Sequence, residues 1–276
     1  MVSILDINSK LTARIADIAE VAGYLWQRGW AERNGGNISV NVTELMTTRD
    51  IEREPISTIS LPKIFPFLAD NFFYVTGTNR RMRYVSQQPM ENGVIIRIND
   101  RGDSYDIIAD NDIKPTSEIL SHLSIHNYMK WMNKNSVPGT KEVKVVCHTH
   151  PTDLIALTHN PKFLKEGVLT HLLWSMIPET RVIVPHGIGI VPYEQPGTME
   201  LADATIKLLD RYDCVMWEKH GCLVIGDDII EVFDMIDTLS KSAQIYLNAK
   251  MAGFEPEGLT KEQLDGLVPL FGIPEQ

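Results

Sequence analysis

Apolar residues recur every three or four positions near the start of the chain, which is the spacing of one helix face. The residues that share this face are Leu11, Ile15, Ile18, Ala22, Leu25 and Trp26. Gly29 follows them, and glycine commonly ends a helix because it adopts the left-handed conformation without strain. The pattern therefore predicts an amphipathic helix that ends before Gly29.

Short apolar runs dominate the middle of the chain. Apolar and polar residues alternate over residues 38–42, which predicts a half-buried strand. Further strands are predicted at 72–75, 94–98, 105–108 and 143–148, with a helix over 116–132 before the last of them. A short helical run follows Pro151.

The second half of the chain mixes hairpins with helices. Residues 182–184 and 188–191 predict a hairpin, and Thr198 is expected to cap a helix that runs through Leu209. Two more strands fold back at residues 219–221, before a long helix over 229–251. Hairpins with separated helices predict one α/β domain, residues 1–276, whose central and mainly antiparallel sheet is flanked by helices.

Composition limits the classes of partner. The 276 residues are 43% hydrophobic and carry a net charge of −10, which argues against a nucleic-acid partner because nucleic acids need a basic surface. We expect no membrane partner, because no apolar run approaches the roughly 18 residues of a membrane span and no signal peptide is apparent. Cys147, Cys214 and Cys222 form no CxxC pair, which favours buried thiols in a reducing cytoplasm.

The stretch KVVCHTH ends a predicted strand with His148 and His150. Residues i and i+2 of a strand lie on one face about 7 Å apart, so both imidazoles can reach one ion. A His-x-His pair alone is as typical of an exposed strand end as of a metal site. His220 is the candidate third ligand, since Gly221 allows a tight backbone at the predicted turn. Three histidines with an open position are typical of catalytic zinc.

A rival group of possible ligands lies on the predicted helix over 116–132. Glu118, His122 and His126 are four residues apart and share one helix face. Leu123 follows His122, so the HExxH pattern of zinc proteases is missing. We expect these histidines to be supporting structure. Glu118 is predicted in the first helical turn, where a carboxylate is favoured by the helix dipole even without a catalytic role.

Two glycine loops are candidates for anion binding. The first is NGGN at residues 34–37, and the second is TGTNRR at residues 76–81. Both can present backbone N–H groups to a phosphate, although such sequences are commonly plain turns.

Taken in order, these motifs resemble the class II aldolase/adducin family over nearly the whole chain. The segments that carry the resemblance are GWAERNGGN, YVTGTNRRMR, PTSE, HTHPTDLIALT, LLW, VPHGIGIVPY, PGT and KHG. The resemblance implies a metal-dependent aldehyde-lyase that cleaves a ketose 1-phosphate to dihydroxyacetone phosphate and an aldehyde. It also implies a cytoplasmic homo-oligomer, a homotetramer, whose substrate is a small sugar phosphate.

The resemblance assigns roles to individual residues. His148, His150 and His220 hold one Zn²⁺ per subunit, and Glu118 moves the proton at the enediolate carbon. Glu179 falls near a second family carboxylate that serves the aldehyde oxygen, although a surface glutamate is nearly as good an interpretation. The phosphate and the ketone-side hydroxyl are bound at the positions Asn34, Gly36, Asn37, Thr78 and Ser117.

The sequence departs from the family pattern at two places, and it leaves two alternative functions open. Thr78 and Asn79 stand where related enzymes have serine and glycine, and Lys219 occupies a variable position. A relative with another aldol or epimerase substrate would keep the same three histidines. A non-enzymatic, adducin-like binding module should lack them.

Overall fold

The computed structural model describes residues 3–135, 137 and 141–275. In that part of the chain the strands are β1 Asn37–Asn41, β2 Ser57–Ser60, β3 Phe72–Thr76, β4 Gly93–Ile98, β5 Ser104–Ile107, β6 Val145–Thr149, β7 Ile188–Val191, β8 Cys214–Trp217 and β9 Gly221–Gly226. The longer helices are α1 Ser9–Gln27, α5 Ile119–Lys134, α6 Thr152–Thr158, α7 Val168–Met176, α8 Pro178–Ile183, α9 Met199–Ile206 and α10 Ile229–Met251. Short helices are α2 Thr48–Ile51, α3 Met82–Val85, α4 Pro89–Asn92, α11 Lys261–Asp265 and α12 Leu267–Phe271, and single 3-10 turns lie at Thr43–Leu45, Pro66–Leu68 and Pro161–Leu164.

The strands form one sheet in the order β2-β5-β4-β3-β1-β6-β9-β8-β7. Neighbouring strands are antiparallel except β7 and β8, which are parallel. This confirms the predicted α/β fold with a mainly antiparallel sheet. β6 lies between β1 and β9, with His148 opposite Asn37 on one side and Leu223 on the other.

Helices bury both faces of the sheet. Cys147 of β6 packs in an apolar cluster with residues of α1 and α10, whereas its neighbour Val146 packs in a second cluster with Ile125 of α5. The alternation follows from the period of two along a strand. His148 is two residues beyond Val146, so its side chain faces the α5 side.

Helix ends follow local capping chemistry. The Asn8 side chain accepts from the Leu11 amide at the start of α1, and Asp228 caps α10 in the same way. The predicted Thr198 cap is confirmed, because its hydroxyl accepts from Leu201 N. α9 ends at Ile206, earlier than Leu209.

Two expectations about the strands were wrong. Residues 182–184 do not form a hairpin arm, because Pro178 begins helix α8 and β7 instead pairs in parallel with β8. A short apolar run has no periodicity that separates a strand from a buried helical turn. β1 is buried on both faces rather than half-buried, since α5 covers Asn37 and Ser39.

The other sequence expectations concern cysteines and membrane spans. Cys147, Cys214 and Cys222 are free and buried. None of the described helices combines the length and the apolarity that a membrane-spanning helix needs.

Candidate metal and active site

Three predicted histidines converge at the end of β6. His148 lies on β6, His150 is the first residue after β6, and His220 is the last residue before β9. Their ring centroids are 4.8 to 5.4 Å apart. One nitrogen from each ring can be chosen so that the three atoms all lie within 4.8 Å of one another. The set could therefore hold a metal ion.

The hydrogen bonds of these rings leave nitrogens free for an ion. His148 Nδ1 bonds the Cys222 carbonyl at 3.0 Å, which directs His148 Nε2 toward His150 Nε2 at 3.2 Å. Two ligands of a tetrahedral zinc at roughly 2.0–2.1 Å are about 3.3 Å apart, so the spacing fits. His220 Nδ1 is buried without a hydrogen-bond partner among the described residues.

Burial keeps two of the three rings neutral. It lowers the pKa of His148 well below the usual range and that of His220 to about 4. Metal binding requires a neutral imidazole, so neither ring would have to lose a proton near neutral pH.

Glu32 holds the ring of His150, and this contact was not predicted from the sequence. Its Oε1 lies 2.7 Å from His150 Nδ1. A carboxylate on the far nitrogen fixes the ring and raises the basicity of a metal-binding histidine. Glu32 lies within GWAERNGGN, two residues before Asn34 of the glycine loop, and this place in the motif was the signal that could have identified it.

Glu118 faces the same cavity from the start of α5. It is the N-cap residue, rather than part of the first turn as predicted, and its side chain makes no capping bond. Instead Oε2 accepts a 2.9 Å hydrogen bond from Asn37 Nδ2. Burial raises the pKa of Glu118, while the Asn37 bond and nearby His150 act in the opposite direction. A carboxyl group with a raised pKa is suited to proton transfer.

A cavity of about 180 Å³ joins these groups to both glycine loops. Its lining includes Glu118, the three histidines and every residue predicted to bind phosphate: Asn34, Gly36, Asn37, Thr78 and Ser117. The structure therefore brings together all the predicted site residues except Glu179.

Backbone amides in this lining are available to an anion. The amides of Gly36, Asn79 and Ser117 donate no hydrogen bond within the described part of the chain. Gly36 and Asn79 have φ of +76° and +56°. Asparagine tolerates this left-handed region better than most residues, which explains how Asn79 can replace a glycine in the second loop.

Glu179 does not reach the cavity of its own chain. It is exposed in the first turn of α8, and it is absent from the lining residues.

The rival histidines on α5 point to other partners. His122 Nε2 bonds Asn37 Oδ1, and both His122 Nδ1 and His126 Nε2 bond Ser39 Oγ. Within the described residues, the only group of three or more potential ligands close enough to share an ion is His148, His150 and His220.

The turn before β9 differs from the prediction at Gly221. The left-handed residue is Lys219, with φ of +59°, whose amide donates to Thr158 Oγ1 at 2.9 Å. Gly221 is needed for a different reason. A Cβ there would lie 2.6 Å from both His148 Cε1 and the Thr149 carbonyl oxygen, and 2.9 Å from His150 Cδ2.

The chain is similar in sequence and fold to known proteins. The sequence model of the family described as Class II Aldolase and Adducin N-terminal domain matches residues 16–247. A rhamnulose-1-phosphate aldolase of Bacteroides thetaiotaomicron is 51% identical over the whole of both chains, and one of Pectobacterium atrosepticum is 34% identical over 90% of each. The crystal structure of a sugar-phosphate aldolase from Thermotoga maritima has a TM-score of 0.77 at 31% identity, covering 90% of this chain and 100% of that one.

We predict that Gly221→Ala weakens metal binding, because the new methyl group displaces the rings of His148 and His150. The affinity for zinc should fall by roughly 10- to 100-fold, as for other changes beside a metal ligand. Competition with a chelator measures this. Gly266→Ala is the control, since its Cβ would meet only ordinary contacts of 3.4 Å or more. Wild-type zinc affinity in Gly221→Ala would contradict the steric argument.

Proposed function

The chain belongs to the class II aldolase and adducin family, and we propose that it is a zinc-dependent aldolase that reversibly cleaves L-rhamnulose 1-phosphate. The products would be dihydroxyacetone phosphate and L-lactaldehyde, in rhamnose catabolism. The observation that carries the choice of substrate is the 51% identity over the whole length of a relative named rhamnulose-1-phosphate aldolase.

We assign the metal to His148, His150 and His220, one zinc ion per subunit. The neutral rings of His148 and His220 and the 3.2 Å separation between His148 Nε2 and His150 Nε2 support this assignment. A bound zinc ion supplies a positive charge that stabilises the negative charge developing on the substrate as the C3–C4 bond breaks.

We assign proton transfer at C3 to Glu118. Cleavage leaves a carbanion-like centre at C3 of the dihydroxyacetone phosphate fragment, and this carbon must gain a proton. Glu118 has the required reach into the cavity, and burial raises the pKa of its carboxyl group. In the synthetic direction the same carboxylate removes the proton.

The phosphate and the neighbouring hydroxyl would bind at Asn34, Gly36, Asn37, Thr78 and Ser117. The free amides of Gly36 and Ser117 support this role, because N–H groups directed at a cavity bind phosphate oxygens without a formal positive charge.

Glu179 is proposed to act on the aldehyde oxygen of the substrate in a neighbouring subunit. It is exposed on α8 and does not line the cavity of its own chain, so this role requires a contact between subunits. From the resemblance to its family, we also propose that the protein is a homotetramer in the cytoplasm.

The test of substrate is an assay of the purified zinc-loaded protein on L-rhamnulose 1-phosphate, L-fuculose 1-phosphate and L-ribulose 5-phosphate. We expect kcat/KM to favour the first by roughly 100-fold or more, because hydroxyl positions in a polar site discriminate strongly. Chelation should remove the activity, and zinc should restore it. Preferred cleavage of L-fuculose 1-phosphate would instead assign the protein as an aldolase for that sugar. Epimerisation of L-ribulose 5-phosphate would assign it as an epimerase. No activity on any of them would favour a binding module.

The test of the proton-transfer role is Glu118→Gln. The isosteric amide leaves three histidines for the metal, so zinc content should stay at the wild-type level while kcat falls by roughly 10²–10⁴-fold. The variant should also fail to exchange the C3 proton of dihydroxyacetone phosphate with deuterium from solvent, as followed by NMR. Glu52→Gln, at an exposed residue remote in sequence from the site, is the control. Wild-type exchange in Glu118→Gln would remove Glu118 from the mechanism.

A further inference from the structure

A continuous run of buried hydrogen bonds extends from Glu118 into the protein interior. Asn37 Nδ2 donates to Glu118 Oε2 at 2.9 Å, and Asn37 Oδ1 bonds His122 Nε2. His122 Nδ1 lies 2.7 Å from Ser39 Oγ, which lies 2.9 Å from His126 Nε2. All five residues are at most 9% exposed. We call Asn37, His122, Ser39 and His126 the His122 network.

The direction of each hydrogen bond follows from the chemistry of the Asn37 amide. Its NH₂ group faces the Glu118 carboxylate, so its oxygen faces His122, and His122 must carry its proton on Nε2. His122 Nδ1 then accepts from the Ser39 hydroxyl. The oxygen of that hydroxyl accepts in turn from His126 Nε2–H.

Two further observations agree with this direction. Burial lowers the pKa of His122 to about 3 and that of His126 well below the usual range, so each ring carries one proton. His126 Nδ1 is buried without a partner in the described part of the chain. A nitrogen that bears only a lone pair is left unpartnered at lower cost than a buried N–H group.

The opposite orientation of the Asn37 amide would disturb the site. Its oxygen would then face the Glu118 carboxylate, and the repulsion between the two oxygens would turn that carboxylate away. Asn37 lies on β1 opposite His148 and also lines the cavity, so the orientation of its amide affects the groups around the proposed substrate.

We propose that His122 is a positioning residue that fixes the Asn37 amide and thereby holds the Glu118 carboxylate ready for proton transfer. The inference rests on the proposed function of Glu118. The Ser39 hydroxyl donates to His122 Nδ1, whereas His126 donates only to the Ser39 oxygen and makes no hydrogen bond to Asn37 or Glu118.

Four variants separate this role from simple filling of the core. His122→Phe keeps a ring but removes the donor to Asn37. His122→Gln restores an N–H donor at nearly the same place. His126→Phe is the matched control, because it lies one turn later on α5, is equally buried and leaves the His122–Asn37 bond intact. The fourth variant combines His122→Phe with Glu118→Gln.

The readouts are zinc content, kcat, KM and exchange of the C3 proton of dihydroxyacetone phosphate. His122→Phe should keep its zinc and lose roughly 10- to 100-fold in kcat and in exchange, with little change in KM. His122→Gln and His126→Phe should stay within a few-fold of wild type. Adding His122→Phe to Glu118→Gln should have no further effect, because one acts through the other. Three results would overturn the proposal. They are losses in kcat that multiply in the double variant, a loss in His126→Phe equal to that in His122→Phe, and a loss in His122→Gln as large as in His122→Phe.

A measurement without substrate keeps the proposal testable if a variant does not fold. The ring spectrum of the wild-type protein with ¹⁵N-labelled histidine should show His122 and His126 as neutral Nε2–H tautomers. A proton on His122 Nδ1 would overturn the inference even in an active aldolase. If instead wild type had the expected tautomers and no aldolase activity, the proposed function would fail, and with it the role assigned to His122.

Discussion

The position of β6 between β1 and β9 is the constraint on which the rest of the site depends. Its register sets His148 opposite Asn37 and Thr149 opposite Cys222, so the histidine pair, the amide beside Glu118 and the turn with His220 meet at one end of the sheet. A slip of one residue would move His148 to the opposite face, because side chains alternate along a strand. That face packs against α1 and α10 and contains no partner of Glu118.

The second physical condition is burial of polar groups with fixed partners. His148 is almost fully buried, so its neutral ring depends on the Cys222 carbonyl at one nitrogen and leaves the other for a metal. Glu118 is held in the same way by the amide of Asn37. Because polar groups in such a place are costly without partners, the geometry of the site is set before any ligand arrives. Preorganisation of this kind lowers the cost of reaching a transition state.

Sequence patterns predicted the parts of the protein that depend on local geometry. The i, i+2 spacing predicted that His148 and His150 lie on one side of a strand, and the resemblance to the family assigned both to a metal with His220. The mainly antiparallel sheet followed from the hairpins. Contacts between distant elements were not predictable in this way. The bond of Glu32 to His150 crosses 118 positions. The need for glycine at position 221 comes from the Thr149 carbonyl and the rings of His148 and His150, about 70 positions away in the sequence. The pattern of β1 predicted an exposed face because nothing local reveals that α5 covers Ser39.

We assign the metal site to three histidines at the end of β6. Anomalous diffraction from crystals of the zinc-loaded protein, recorded on both sides of the zinc absorption edge, tests this assignment. We expect one strong peak per chain, about 2.0–2.1 Å from a ring nitrogen of each of His148, His150 and His220. A peak beside His122 and His126, or no peak between the three predicted rings, would contradict it.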